Sequence, residues 1–201
     1  MAHRPYERRD HWAKKAKDES FVARAVYKLA EIDKKLKLLR RGDRVLDLGC
    51  APGSWLQYAA KAVGKEGRIL GIDLSPVRAG LGPNVTVLER DASKVTDEEI
   101  RAALGGPADV VLCDMAPHTS GVRFVDQIRS HALCVAALEV AKAILRPGGH
   151  FLVKIFQGPE TPELVKSLRD LFGSVKLEKP ASSRSESMEI YAAAMGFRPL
   201  R

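Results

Sequence analysis

Between Ser20 and Leu39 apolar residues return at helical spacing. Val22, Val26, Leu29, Ile32 and Leu36 form one stripe, while Arg24, Lys28, Glu31 and Lys35 climb another face. That period predicts an amphipathic helix over 20–39, stopped by the Arg-Gly-Asp turn at 41–43. The pattern then changes to short apolar runs alternating with helical stretches. Arg44–Gly49, Arg68–Asp73, Val85–Arg90, Asp109–Asp114 and His150–Phe156 read as buried strands. Ser54–Val63, Thr96–Leu104, Asp126–Leu145 and Pro162–Phe172 read as the helices between them. Thr96 with Glu99 three residues on is a capping box. In the longest helix Ile128, Ala132, Val135, Leu138, Ala141 and Leu145 are expected on the buried face, and Arg146-Pro-Gly-Gly149 is expected to end it. Two more strands, near Val175–Lys179 and Met188–Gly196, complete the set.

Repeated strand–helix–strand units with apolar strands imply an α/β fold. The expectation is a Rossmann-like, seven-stranded, mostly parallel sheet with helices on both faces. Ligands of such sheets lie beyond the carboxyl ends of the strands, at the point where the winding reverses. Those ends carry Asp47-Leu-Gly49, Asp73, Asp91, Asp114 and Lys154, so four carboxylates and one amine are expected along one edge.

Charge adds a second element. The chain of 201 residues has a net charge of +8. Residues 1–44 hold 14 Lys/Arg against 7 Asp/Glu (+7), and residues 45–201 hold 19 against 18 (+1). A near-neutral body with a basic N-terminal segment points to a polyanion partner or to a solvated tail. Tyr6, His11 and Trp12 among the basic residues suit nucleic acid. Residues 1–17 are therefore expected to be a basic arm preceding a domain over 18–201, with Arg8, Arg9, Lys14, Lys15, Lys17 and Arg24 gripping phosphates. The longest apolar run, Ala132–Leu138, is far short of a membrane span. No apolar leader pattern opens the chain, so no membrane partner and a cytoplasmic location are expected. Cys50, Cys113 and Cys134 form no C-x-x-C pair and are expected to be reduced, buried thiols. No His/Cys/Asp cluster has metal-ligand spacing, and no metal is expected.

The segment after the first strand, Asp47-Leu-Gly-Cys-Ala-Pro-Gly-Ser-Trp55, carries the cofactor argument. Gly49 and Gly53 permit a tight turn and close backbone approach, and the following helix offers free N–H groups. The G-x-G-x-x-G pattern fails, because Ala51 and Pro52 interrupt it, and no Gly-Lys-Ser/Thr follows. Asp73 is placed to accept from ribose hydroxyls, and Asp91 from the exocyclic amine of adenine. Ribose and adenine anchors with little phosphate machinery and several acids suit a cationic nucleoside such as S-adenosylmethionine. Each of these aspartates also fits a turn or cap role. Trp55 fits either the core or a wall of the cofactor site.

Three further segments stand out: Asp114-Met-Ala-Pro117, Leu152-Val-Lys-Ile-Phe-Gln157 and Ser187-Met-Glu-Ile-Tyr191, with Ala25-Val-Tyr-Lys-Leu29 near the start. Together with the Asp47–Trp55 loop they resemble the FtsJ/RrmJ family of S-adenosylmethionine-dependent RNA ribose 2′-O-methyltransferases. The resemblance runs from about His11 to the end of the chain. It implies a catalytic tetrad on Lys28, Asp114, Lys154 and Glu189, with Gly53, Trp55, Asp73, Asp91 and Asp114 around the donor. It also implies a uridine of large-subunit (23S) ribosomal RNA as target, with ribosomal RNA or the large subunit as partner, no appended C-terminal domain, and a monomer. Cys50 and Ser54 stand where many relatives have Ala and Gly, both small replacements.

The chemistry supports the same assignment. A ribose hydroxyl is a weak nucleophile, and Lys154 is the candidate base, which requires lowering an amine whose ordinary pKa is about 10.4. Burial and the second cation Lys28 act in that direction, while Asp114 and Glu189 oppose it and orient the groups. Lys154 between Val153 and Ile155, and Glu189 between Met188 and Ile190, place charge where burial is costly. A second reading keeps Lys154 protonated, steering the oxygen toward the methyl group. Asp114-Met-Ala-Pro-His118 lacks the ring that amino-methylating enzymes stack on a flipped base. A transfer-RNA 2′-O-methyltransferase and a non-catalytic RNA-binding assembly factor stand as alternatives.

Overall fold

In the computed structural model, which describes residues 5–184 and 186–199 (backbone only for 5–10), all seven strands join one sheet. They are β1 (Arg44–Leu48), β2 (Arg68–Asp73), β3 (Val85–Glu89), β4 (Ala108–Cys113), β5 (Leu145–Phe156), β6 (Phe172–Glu178) and β7 (Glu189–Phe197). Their order is β3-β2-β1-β4-β5-β7-β6, with β1–β5 parallel and β7 antiparallel to both its neighbours. The winding reverses between β1 and β4, so Gly49 and Asp114 mark the switch point where such sheets bind ligands.

Helices α1 (Pro5–Asp18), α2 (Val26–Leu36), α3 (Ser54–Val63), α4 (Asp97–Leu104), α5 (Arg123–Ile144) and α6 (Thr161–Leu171) complete the fold. One apolar layer joins the sheet to α4, α5 and α6, and the other joins it to α2 and α3. Two-sided cover explains why β1, β2 and β4 are almost continuously apolar. Cys50, Cys113 and Cys134 are free and buried, as expected from their surroundings.

Three expectations need correction. The helix expected over 20–39 spans only Val26–Leu36, because Ser20 takes a positive φ of 61° and Lys37 one of 57°, breaking it at both ends. Val22 is exposed and belongs to no stripe. Residues 5–18, overlapping the segment 1–17 expected as an arm, form α1, whose Ala16 and Trp12 pack against Tyr27 of α2.

The third correction is the face of α5. Ile128 and Val135 are exposed, and the buried side instead carries Asp126, Ser130, Cys134, Ala137, Leu138, Ala141 and Ile144. Polar residues occupy that side because they bond to backbone there. Asp126 accepts from the Ser120 N–H and hydroxyl, Ser130 accepts from the Phe156 N–H, and the Cys134 thiol donates to the Lys154 carbonyl. Apolar periodicity therefore places Leu138, Ala141 and Leu145 correctly but not Ile128, Ala132 and Val135, which are exposed. The Arg146-Pro-Gly-Gly149 segment ends the helix but already belongs to β5, which pairs with β4 across a register shift.

Candidate active site

Five parallel strands deliver their carboxyl ends to one edge. The chain leaves β1 through Gly49, whose φ is +77° and whose Cβ, if present, would stand 2.7 Å from Met115 of the β4 exit. It enters α3 through Gly53, with φ +109°, where a Cβ would meet Val77 and Ala79 at 2.7 Å. Only glycine allows the two exits to approach so closely. The Gly49 N–H donates to the Ile72 carbonyl, and the Asp114 N–H to the Leu48 carbonyl, tying the β1, β2 and β4 exits together.

Asp73, ending β2, accepts from the Ala51 N–H with one carboxylate oxygen and from the Ser75 N–H with the other, both at 2.8 Å. Asp91, past the end of β3, caps the short 3-10 turn Ala92–Lys94 and accepts from the Ser93 N–H and hydroxyl. The Ser93 hydrogen bonds hold its carboxyl below the usual carboxylate range. Both acids thus have local turn duties as well as a position on the ligand edge. The Trp55 side chain is buried, lies 5.8 Å from the Tyr191 ring and donates its indole N–H to the Ala25 carbonyl. It is a core residue pinning the start of α2 to α3, and what it offers the ligand edge is the backbone N–H of a first helical turn.

Asp47 is the anomaly. It is fully buried at the end of β1, and neither carboxylate oxygen has a hydrogen-bond partner. Burial, reinforced by the carboxylates of Asp114 and Asp73, pushes its carboxyl well above the ordinary range. The same burial pushes the neighbouring Cys50 thiol up and keeps it un-ionised. Interiors seldom leave a carboxylate unsatisfied, so a polar or cationic group belongs beside Asp47.

Beyond the switch point, β4, β5 and β7 bring the four expected tetrad residues into two linked ion pairs. Lys154 is 5% exposed, and its ammonium lies 3.1 Å from the Asp114 carboxylate and 2.6 Å from the Asp114 carbonyl. Lys28 reaches across from α2 to Glu189 at 2.8 Å. Burial alone would raise the Glu189 carboxyl, but Lys28, with a further contribution from Lys154, holds it below its ordinary value. The antiparallel register makes this possible: Lys154 sits opposite Tyr191, and Glu189 opposite Phe156. The Tyr191 hydroxyl donates to the same Asp114 oxygen that faces Lys154, at 2.9 Å, and Lys28 stands 5.8 Å from the Tyr191 ring centroid.

Next to the pairs opens a cleft of about 400 Å³ lined by Arg24, Lys28, Arg184, Glu186, Ser187 and Glu189. Of the cations expected to grip phosphates, Arg24 lines this cleft. Lys15 packs over Trp12 and Tyr27 and pairs with Glu19, while the side chains of Arg8 and Arg9 lie outside the described residues. Sequence reasoning placed Asp47 among the strand-end carboxylates without giving it a role, and passed over Tyr191 and Arg184 as site residues. Asp47 could have been given one by the argument that singled out Lys154, a charge inside an otherwise apolar strand. Tyr191 closes a quoted motif, but nothing in its spacing says that its hydroxyl meets Asp114. Arg184 lies in a loop without pattern.

Among the described residues no helix is long and apolar enough to cross a membrane. The model of the FtsJ-like methyltransferase family matches residues 21–197. A Syntrophobacter fumaroxidans protein named ribosomal RNA large subunit methyltransferase E is 50% identical over 96% of this chain and 98% of its own. One of the same name from Oleidesulfovibrio alaskensis is 50% identical over 96% and 93%. A crystal structure from Plasmodium falciparum, described as a ribosomal RNA methyltransferase, superposes with a TM-score of 0.78 at 28% identity, over 90% of this chain and all of that one.

Proposed function

This chain belongs to the FtsJ-like methyltransferase family, and from that premise we propose that it transfers a methyl group from S-adenosylmethionine to a ribose 2′-hydroxyl of large-subunit (23S) ribosomal RNA. The observation that carries the reading is the pairing of Lys154 with Asp114 and of Lys28 with Glu189, beside the β1 exit. The names of the half-identical relatives favour ribosomal over transfer RNA.

The residues of the β1–β3 exits fit the donor. The orphaned Asp47 carboxylate calls for a cationic or hydrogen-bonding neighbour. Gly53 removes the side chain that would obstruct close approach, and Ser54 and Trp55 offer first-turn N–H groups. Asp73 and Asp91 stand at the two strand ends where ribose and adenine would be held, and Asp114 closes the far side. When bound, S-adenosylmethionine supplies a methyl group activated by a sulfonium.

The chain supplies position and a proton acceptor. Lys154 donates to the Asp114 carbonyl and is ion-paired with the Asp114 carboxylate, so its head group is held and N–H donors remain for the ribose oxygen. Losing a proton turns that same atom into the acceptor of the hydroxyl proton. Asp114, held by Tyr191, keeps Lys154 in place, and Glu189 keeps Lys28 beside the cleft. Arg24 and Arg184 present cations to the flanking phosphates.

Mapping ribose methylation on total RNA from cells with and without the protein tests the reading. The expected result is one large-subunit position that loses its 2′-O-methyl group and regains it when the purified protein and S-adenosylmethionine are added. An unchanged large-subunit map refutes the reading, and a lost site in transfer RNA transfers it to that substrate.

A further inference from the structure

The opposite edge of the sheet is built differently. There the amino ends of β1, β2 and β3 and the loops feeding them line two adjoining clefts of about 750 and 400 Å³ that share Lys65, Glu66, Pro83 and Asn84. The floor of the larger one is apolar (Ala60, Val63, Pro83), and its rim carries Arg41, Lys61 and Lys65. Arg68 extends the rim into the smaller cleft. Arg41, Lys65 and Arg68 are exposed, and among the described residues they make no ion pair, although Glu66 lies between them. Lys61 stands 4.2 Å from the Phe21 ring centroid, which links the rim to the segment leading into α2.

Chain-wide charge makes this grouping significant. Residues 45–201 are nearly neutral, yet the two clefts are lined by four cations, Arg41, Lys61, Lys65 and Arg68, against one acid, Glu66, while Asp43 and Asp109 of the same edge lie outside the cleft lining. The N-terminal excess is divided as well: Arg24 and Lys28 serve the site, whereas Arg41 lies past the C-terminus of α2 and joins the far rim. A groove whose lining cations outnumber its single acid four to one matches the phosphates of a nucleotide strand.

We propose that this amino-edge groove is a second RNA-binding site, which holds a phosphodiester strand of the substrate remote from the reacting ribose. The proposal rests on the reading of a large RNA as substrate. The length of β1 alone puts at least about 16 Å between groove and tetrad, which are also offset across the sheet, so only a folded RNA that reaches around the sheet engages both.

The test compares two full-length variants with equal charge change: R41E/K65E in the groove, and K166E/R169E on the exposed side of α6. Affinity for whole large-subunit ribosomal RNA is measured by filter binding over a salt series, and methylation is measured on a short oligonucleotide spanning the target nucleotide. R41E/K65E is expected to raise the Kd for the whole RNA about tenfold and flatten the salt slope by about 1.5, two phosphate contacts. K166E/R169E is expected to change the Kd less than twofold, and both variants should methylate the oligonucleotide like the parent. Equal weakening by both variants, or an unchanged Kd for R41E/K65E, overturns the proposal. So does a loss seen only with assembled subunits and not with naked RNA, which assigns the groove to a protein partner. If the parent methylates neither RNA, the functional reading has failed, and the binding series still decides the groove.

Discussion

At the ends of β4, β5 and β7 each charged side chain of the tetrad meets a counter-charge within 3.1 Å, whereas Asp47, at the end of β1 and more deeply buried than any of them, meets none. Both sets lie at the same sheet edge, and the same topology put them there. Their difference is one of timing. Lys154 and Asp114 form an ion pair with no ligand present, which on the proposed mechanism would fix the amine ahead of methyl transfer. At the β1 exit Asp47 has no such partner, and burial together with the Asp114 and Asp73 carboxylates pushes its carboxyl toward the neutral form, a cost that a cationic or hydrogen-bonding neighbour would lower.

The largest effect should come from emptying the rigid side. Lys154→Met keeps most of the volume and apolar contacts of the stem but removes the proton acceptor, and methyl transfer should fall by about 10²–10⁴-fold. Binding of S-adenosylmethionine, read by calorimetry, should change little, because Lys154 serves the other half. Retained methyl transfer would remove Lys154 from the reaction. A single-turnover pH–rate profile of the parent separates the two roles of this lysine. A titrating base gives a rate that rises with pH up to the lysine's own pKa, and a profile flat from pH 6 to 10 leaves only orientation.

An effect of opposite sign should follow from relaxing the strained side. The raised carboxyl of Asp47 means that its contribution to stability is fully present below the ordinary aspartate value and is lost as pH rises through the folded one. Asp47→Asn should therefore melt higher than the parent at neutral pH, by about 2–4 °C for each kcal/mol of ionisation cost removed, and the gap should close on acidification. The same variant should bind S-adenosylmethionine about tenfold more weakly, since a neutral amide gives a sulfonium no counter-charge. A variant that is more stable and binds the donor as well as the parent would show that Asp47 belongs to the fold alone.

How much of this was readable beforehand follows from where each signal resides. Strand positions and the parallel core were legible because burial on both faces forces near-continuous apolar runs, as in Val45–Leu48 and Val110–Cys113. Lys154 was legible for the converse reason, as a charge inside such a run. The N-terminal half of the α5 face was misread because Asp126, Ser130 and Cys134 are buried to satisfy backbone groups of distant segments, a demand absent from local periodicity. α1 escaped notice because its sequence, rich in Arg and Lys, carries little of the apolar stripe that marks a helix, and it docks through Trp12 and Ala16. The bond between Tyr191 and Asp114 joins residues 77 apart in sequence and became visible only once the register of β5 and β7 was known.

That bond gives the smallest expected effect. The Tyr191 hydroxyl donates to the same Asp114 oxygen that is ion-paired with the Lys154 ammonium, so removing it leaves the charge pair intact. Tyr191→Phe keeps the ring that packs on Trp55 and deletes one hydrogen bond, a loss of about 1 kcal/mol in stability. If Asp114 is rigid because both groups hold it, kcat should fall by less than about tenfold with KM for RNA unchanged, since the loss acts on the geometry of Lys154 and not on substrate contacts. With the ion pair as the sole restraint on Asp114, kcat would equal that of the parent, and rigidity on this side of the site would be a property of the Lys154–Asp114 pair alone. A kcat loss as deep as that of Lys154→Met would instead make the tyrosine hydroxyl, and not the ion pair, what holds the acceptor side in register with the donor.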